Sequence, residues 1–170
     1  MSEESKCERI LAEIKKRRKD PKIVDVEEEK VKLVVFSLCE ESFAFHGADI
    51  REIVRYQKVT FVPGSPHVIL GIINLRGDIE SVLSIHRLLG LPDSEWDSRS
   101  RIILAQGEGI GSGILVDSVE DVADVPVSSI QPPIGTFDKS SMEFITGVTL
   151  HGGRNVTVLS TAKVLGKLSR

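Results

Sequence analysis

Apolar positions in this chain fall into short runs rather than one long periodic stripe. From Val31 onward the runs are rich in Val, Ile and Phe, with 17 Val and 14 Ile over residues 31–170, a composition that favours strands over helices. Residues 31–38 predict a first strand, and 42–46 a second that returns after Glu40-Glu41 as in a hairpin. Shorter candidates are 52–56 and 60–62, followed by the Pro63-Gly64-Ser65-Pro66 punctuation. Residues 68–74 and 78–83 form another apolar pair divided by Arg76-Gly77, and 84–89 predict one or two helical turns closed by Gly90 and Pro92. Residues 101–105 and 113–116 flank the segment GEGIGSG, and 120–125 alternate as a strand. Residues 144–150 and 155–159 flank the hairpin signal His151-Gly152-Gly153, and 160–168 predict a final helix capped by Ser160 or Thr161. About ten short strands between Gly and Pro turns predict an all-β sandwich or barrel arrangement. No exact internal repeat is visible.

Charge divides the chain differently. Residues 1–30 carry 9 acidic and 9 basic side chains and no glycine, whereas all 14 glycines lie at or beyond Gly47. We therefore read a charged leader, 1–30, followed by a body, 31–170. Within the leader, Ile10, Leu11 and Ile14 form a short apolar stripe among good helix formers, which predicts a partly helical segment ended near Pro21. That helix fits either a solvated tail or a docking or membrane-surface element; the basic run at 15–19 is offset by Glu27, Glu28 and Glu29, which weakens electrostatic anchoring.

Composition excludes several classes. The weakly acidic body, net −3, lacks the basic footprint of nucleic-acid binding. No apolar run approaches the roughly 18 residues of a membrane span, and the N-terminus has no apolar signal core, so a cytoplasmic protein without membrane insertion is expected. Cys7 and Cys39 alone imply neither a disulfide framework nor a zinc site. Gly107, Gly109, Gly111 and Gly113 are spaced by two and read as a hairpin turn, not a phosphate loop. The four histidines, His46, His67, His86 and His151, lack metal spacing and read as surface or turn residues. Ser84, two residues before His86, faces away from it on a helix, and Asp117 has no visible base or nucleophile partner. Glu120, Asp121 and Asp124 read as an outward-facing charged strand edge. No enzyme site, metal site or cofactor site follows.

One local arrangement stands apart. Arg76 lies in Gly71-Ile72-Ile73-Asn74-Leu75-Arg76-Gly77, among apolar residues and bracketed by glycines. It reads either as a turn Arg with its head in water or as a partly buried, paired Arg, since an unpaired buried charge is costly. Glu52 is the expected partner in the second case.

This segment resembles the "G-x-x-N-L-R-G" motif of the CheW family, the adaptor proteins of bacterial chemosensory arrays. Further segments resemble that family in order. They are Val34-Val35-Phe36-Ser37-Leu38 with Ser42-Phe43-Ala44-Phe45, Ile50-Arg51-Glu52-Ile53, Thr60-Phe61-Val62-Pro63, Val116-Asp117-Ser118-Val119-Glu120-Asp121-Val122, and Phe144-Ile145-Thr146-Gly147. The resemblance implies a mainly β fold of two small five-stranded barrel lobes with short helices and a C-terminal helix. It implies no catalysis. It implies instead coupling of a chemoreceptor cytoplasmic tip to the regulatory domain of the histidine kinase CheA, with a receptor helical hairpin seated between the lobes. By resemblance, Ile50, Ile53, Gly71, Val119 and Val122 are placed near partner surfaces, with Glu52 and Arg76 supporting them. The departures are Ser81 and Ser84 at the family's proline and acidic places, Ser160 where Asp is common, and the longer leader. An adaptor with an altered or inhibitory role, or a small-molecule-binding barrel, stands as the alternative.

Overall fold

The computed structural model describes residues 28–133, 135 and 139–169; the leader helix expected over 7–19 lies outside the described residues. The strands are β1 (Lys30–Leu38), β2 (Glu41–His46), β3 (Ile50–Arg55), β4 (Ile69–Leu75), β5 (Asp78–Ser84), β6 (Arg101–Gly107), β7 (Ile110–Val116), β8 (Ser118–Pro126), β9 (Ile145–His151) and β10 (Arg154–Leu159). Among the described residues three short α-helices accompany the strands: α1 (Ile85–Leu89), α2 (Lys139–Met142) and α3 (Thr161–Gly166). The expected strand over 60–62 is reduced to a single bridge, Thr60 to Ile72, because Pro63 and Pro66 supply no amide hydrogen to extend a ladder.

Two five-stranded sheets form, in the orders β8-β1-β2-β10-β9 and β3-β6-β7-β5-β4. Each sheet curls into a small barrel lobe, so the mainly β, two-lobed expectation holds. The two orders are one pattern. Shifting every strand label by five converts one sheet into the other, with each lobe made of two antiparallel hairpins joined by a parallel pair, β2 with β10 and β7 with β5. The outer strands β3 and β8 are exchanged: each follows a hairpin in one lobe and completes the other lobe. A weak internal repeat accompanies the topology, unseen as an exact match. Gly71/Gly147, Gly77/Gly153, Val82/Val158, Leu83/Leu159, Ser84/Ser160 and Leu89/Leu165 are each 76 positions apart. Ser84 and Ser160 play the same part, their hydroxyls accepting from the amides of Arg87 and Lys163 to cap α1 and α3. Such a cap contributes about 1 kcal/mol.

The unbroken apolar run in β1 follows from burial on both faces. Leu33 and Val35 point into the core of the first lobe with Ala44, Val125, Val156 and Val158. Their neighbours Val34, Phe36 and Leu38 point the other way, into a shared core with Phe43, Phe45, Leu83, Ile103, Ile114, Val116, Phe144 and Leu159. Ile73, Val82, Ile102, Leu104 and Leu115 fill the second lobe. The lobes are therefore welded by a third hydrophobic cluster drawn from both. Val31–Val125 with Ser129–Arg170 makes one compact unit; of the other, Glu28–Lys30 and Pro126–Ser128 are joined by the Val127 amide donating to the Glu29 carbonyl at 2.9 Å.

One histidine departs from its expected surface position. His86 is fully buried, edge-on to the Trp96 ring at 5.5 Å between centroids. It sits in α1, whose inner face it shares with buried Ile85 and Leu89.

Candidate functional site

The four tight hairpins all turn through two residues at positive φ, the geometry of type I′ turns. They are Cys39-Glu40, Arg76-Gly77, Glu108-Gly109 and Gly152-Gly153. Gly107, Gly109, Gly111 and Gly113 thus belong to the β6–β7 hairpin, as expected, with Gly109 in the turn. The Arg76-Gly77 turn is held by Asn74, whose Oδ1 accepts from the Gly77 amide at 3.0 Å. It presents Arg76 outward, and the Nη2 group donates to both oxygens of Glu52 on β3 at 2.6 and 2.8 Å. Both sequence readings of Arg76 hold in part. It is paired with Glu52, yet its side chain is 66% exposed and that of Glu52 35%.

The hydrogen bond to Arg76 lowers the Glu52 pKa, and the same contact raises that of Arg76. With the folded value depressed, the native state binds fewer protons, so this contribution is present above the ordinary value of 4.5 and is lost as pH falls through the lowered folded value. Glu52→Gln is therefore expected to lower Tm above pH 4.5 and to converge with the wild type in stronger acid. Thermal melts across that range check it, and parallel curves throughout would remove the pair from the acid response.

Arg76 and Glu52 have a second job in the fold. β3 and β4 are the two edges of their sheet, and the pair crosses between them. Arg51 assists from β3 by reaching Glu80 on β5 at 3.3 Å. The other lobe is laced at the equivalent place. There Asp121 on edge strand β8 meets His151 at 2.9 Å, and Glu120 meets Arg154 at 3.7 Å. The hydrogen bond from His151 is the largest cause lowering the Asp121 pKa. Glu120, Asp121 and Asp124 are thus an exposed strand edge, as expected, but one that engages the β9–β10 hairpin and, through Asp124, Lys32.

The apolar members of the expected site fall into three environments. Ile50, Ile53 and Val119 are half-buried and pack against the shared core. They stand on β3 and β8, the exchanged strands. Val122, further along β8, is 49% exposed. Gly71 is buried in β4 and offers no side chain. Its φ is +151°, and a Cβ there would lie 2.1 Å from the Thr60 carbonyl oxygen. Its place in the site is to let the Thr60 segment approach, which seats Phe61, 67% exposed, beside the hairpin. Sequence reading missed Phe61, Ile79 and Leu150, all large apolar side chains facing solvent. In a single sequence nothing separates them from the buried members of the same runs. It also missed the convergence of Cys39, His86 and Asp117, whose ligand atoms lie within 4.8 Å of one another.

Two lobes around one core, exposed apolar side chains, and conformations fixed by surface ion pairs define a scaffold that presents docking surfaces. Comparison with known proteins agrees. The CheW-like domain family matches residues 32–169. The chain is 30% identical over 138 residues to the chemotaxis protein CheW of Bacillus subtilis, covering 81% of this chain and 88% of that one. It is 30% identical over 132 residues to the chemotaxis protein CheW of Rhizobium meliloti, covering 78% and 85%. The crystal structure of the scaffolding protein TtCheW from Thermoanaerobacter tengcongensis superposes with a TM-score of 0.68 at 32% identity, covering 77% of this chain and 89% of that one. This chain belongs to the CheW-like family.

Proposed function

We propose that this protein is a non-enzymatic adaptor of bacterial chemosensory signalling that couples chemoreceptors to the histidine kinase CheA. The observation that carries the reading is the family match over residues 32–169, on a fold shared with a scaffolding protein. The body from residue 31, which carries the family match, is read as the scaffold. The protein works in the cytoplasm at receptor arrays; among the described residues no helix is long and apolar enough to cross a membrane.

The surfaces divide the work. Ile50, Ile53 and Val119, half-buried on the exchanged strands, are the residues we assign to the seat for a receptor helical hairpin, which would lay its apolar stripe against them. Val122 and the Gly71-supported Thr60-Phe61 segment extend the contact surface for the receptor tip and the CheA regulatory domain. Arg76 and Glu52 fix the hairpin beside it.

The test is reconstitution of CheA autophosphorylation with a receptor fragment, with and without this protein. A several-fold rise is expected on adding it. Arg76→Ala should reduce that rise, and Val122→Asp, at an exposed position, should weaken partner binding with Tm unchanged. Absence of binding to either partner would defeat the proposal.

A further inference from the structure

We propose that Cys39, His86 and Asp117 form a binding site for a divalent cation of the zinc class, at the junction of the two lobes. The three residues come from different parts of the fold. Cys39 lies in the β1–β2 turn, His86 in α1 after β5, and Asp117 in the link between β7 and β8. Their ligand atoms converge within 4.8 Å. Sulfur, imidazole nitrogen and carboxylate oxygen together are a zinc-type donor set, and three protein ligands with an open position are the usual form of a site that also binds water or an external group.

The geometry around the cluster suits a shared cation. His86 is fully buried, and its Nε2 lies 3.1 Å from Asp117 Oδ1. This close approach is not a hydrogen bond, and Oδ1 is buried with no hydrogen-bond partner. Native folds rarely leave such an atom orphaned. His86 Nδ1 is orphaned as well, which leaves the ring held by its Nε2 side and by Trp96. Metal bonds of about 2.0 Å to N and O and about 2.3 Å to S place neighbouring donors roughly 3 to 4 Å apart. The Nε2–Oδ1 pair already meets that spacing, and Cys39 Sγ lies within 4.8 Å of both residues' ligand atoms.

The turn that carries Cys39 is built for position. Of the four tight hairpins it is the one without glycine, so Cys39 and Glu40 both hold positive φ, 51° and 71°, at a steric cost that other residues avoid. Asp117 holds the turn in place. Its Oδ2 accepts from the Cys39 amide at 2.7 Å, and its own amide donates to the Ser37 carbonyl at 3.1 Å. One carboxylate oxygen thus fixes the backbone that aims the sulfur, and the other is left for the ion. A 330 Å³ cavity lined by Cys39, Asp117, Ser94 and Glu95 reaches two of the three ligands. Ser94 Oγ shares a 3.1 Å hydrogen bond with His86 Nε2, a contact that a cation on Nε2 would displace. The same three residue types also make up a nucleophilic triad, but burial and the Asp117 charge raise the Cys39 pKa, which disfavours the thiolate such a triad uses. A cation reverses that balance by binding the thiolate.

The test uses the full chain, with Co²⁺ as probe and Zn²⁺ as competitor. One equivalent of Co²⁺ should give a thiolate-to-cobalt charge-transfer band in the near ultraviolet, discharged by Zn²⁺. The band should persist in Cys7→Ser and vanish in Cys39→Ser, a substitution that keeps the side-chain shape. Asp117→Asn should weaken Co²⁺ binding at least tenfold. Zn²⁺ should raise the Tm of the wild type and not that of Cys39→Ser, which reads the site even where Asp117→Asn destabilises the turn. No band in the wild type, a band that survives in Cys39→Ser, or unchanged affinity in a folded Asp117→Asn would overturn the site.

Discussion

Gly71→Ala is expected to destabilise the protein by about 3 kcal/mol, the sum of a strained backbone and an overpacked contact. The added Cβ would lie 2.1 Å from the Thr60 oxygen, 2.6 Å from its carbonyl carbon and 2.9 Å from Val59 Cγ1. The first two are backbone atoms and cannot swing aside. Moving them breaks a reciprocal pair of hydrogen bonds, Thr60 amide to Ile72 carbonyl and Ile72 amide to Thr60 carbonyl, both 2.9 Å. The φ of +151° adds a conformation that L residues avoid. Gly147 is the internal comparison, placed 76 residues later. Its Cβ would meet the Ile130 side chain at 2.6 Å and the Gln131 oxygen at 2.8 Å, without a positive φ, so Gly147→Ala should cost less. Urea unfolding measures both as a fall in midpoint at constant m. A loss below about 1 kcal/mol for Gly71→Ala would mean that the Thr60 segment is free to retreat.

Phe36→Ala is the second large effect, at about 3 to 5 kcal/mol. Phe36 is fully buried and stacks on Phe45 at 5.1 Å and on Phe43 at 6.2 Å between centroids. It belongs to the cluster drawn from both sheets, so its loss weakens the weld between lobes as well as the lobe that carries it. The unfolding transition should move to lower denaturant and stay single. Resolution into two transitions would show that each lobe stands on its own small core.

Much of this architecture was legible in the sequence. Alternation and turn residues located the hairpins, Ser160 was readable as a cap, and Glu52 was readable as the candidate partner of Arg76 in one of two open readings. What escaped did so for physical reasons. Cys39-Glu40 carries no glycine, so nothing marked it as a positive-φ turn. The 60–62 run has strand composition, but its neighbouring prolines restrict pairing to one bridge. The fate of His86 and Asp117 depends on which elements the topology brings together, and local periodicity carries no such information. Exposed Phe61 and Leu150 come from runs identical in texture to the core strands.

The exchange of β3 and β8 has a consequence for how this chain can be divided. The first half, β1 to β5, gives two strands to one lobe and three to the other, and the second half gives the complement. Cut in the connection between α1 and β6, neither fragment can close a barrel alone, while a mixture of the two can rebuild both. By the same geometry, two copies of a half-length chain would complete each other's sheets as an interlocked dimer. The full chain has the strand topology that such a dimer would have with its two copies joined head to tail.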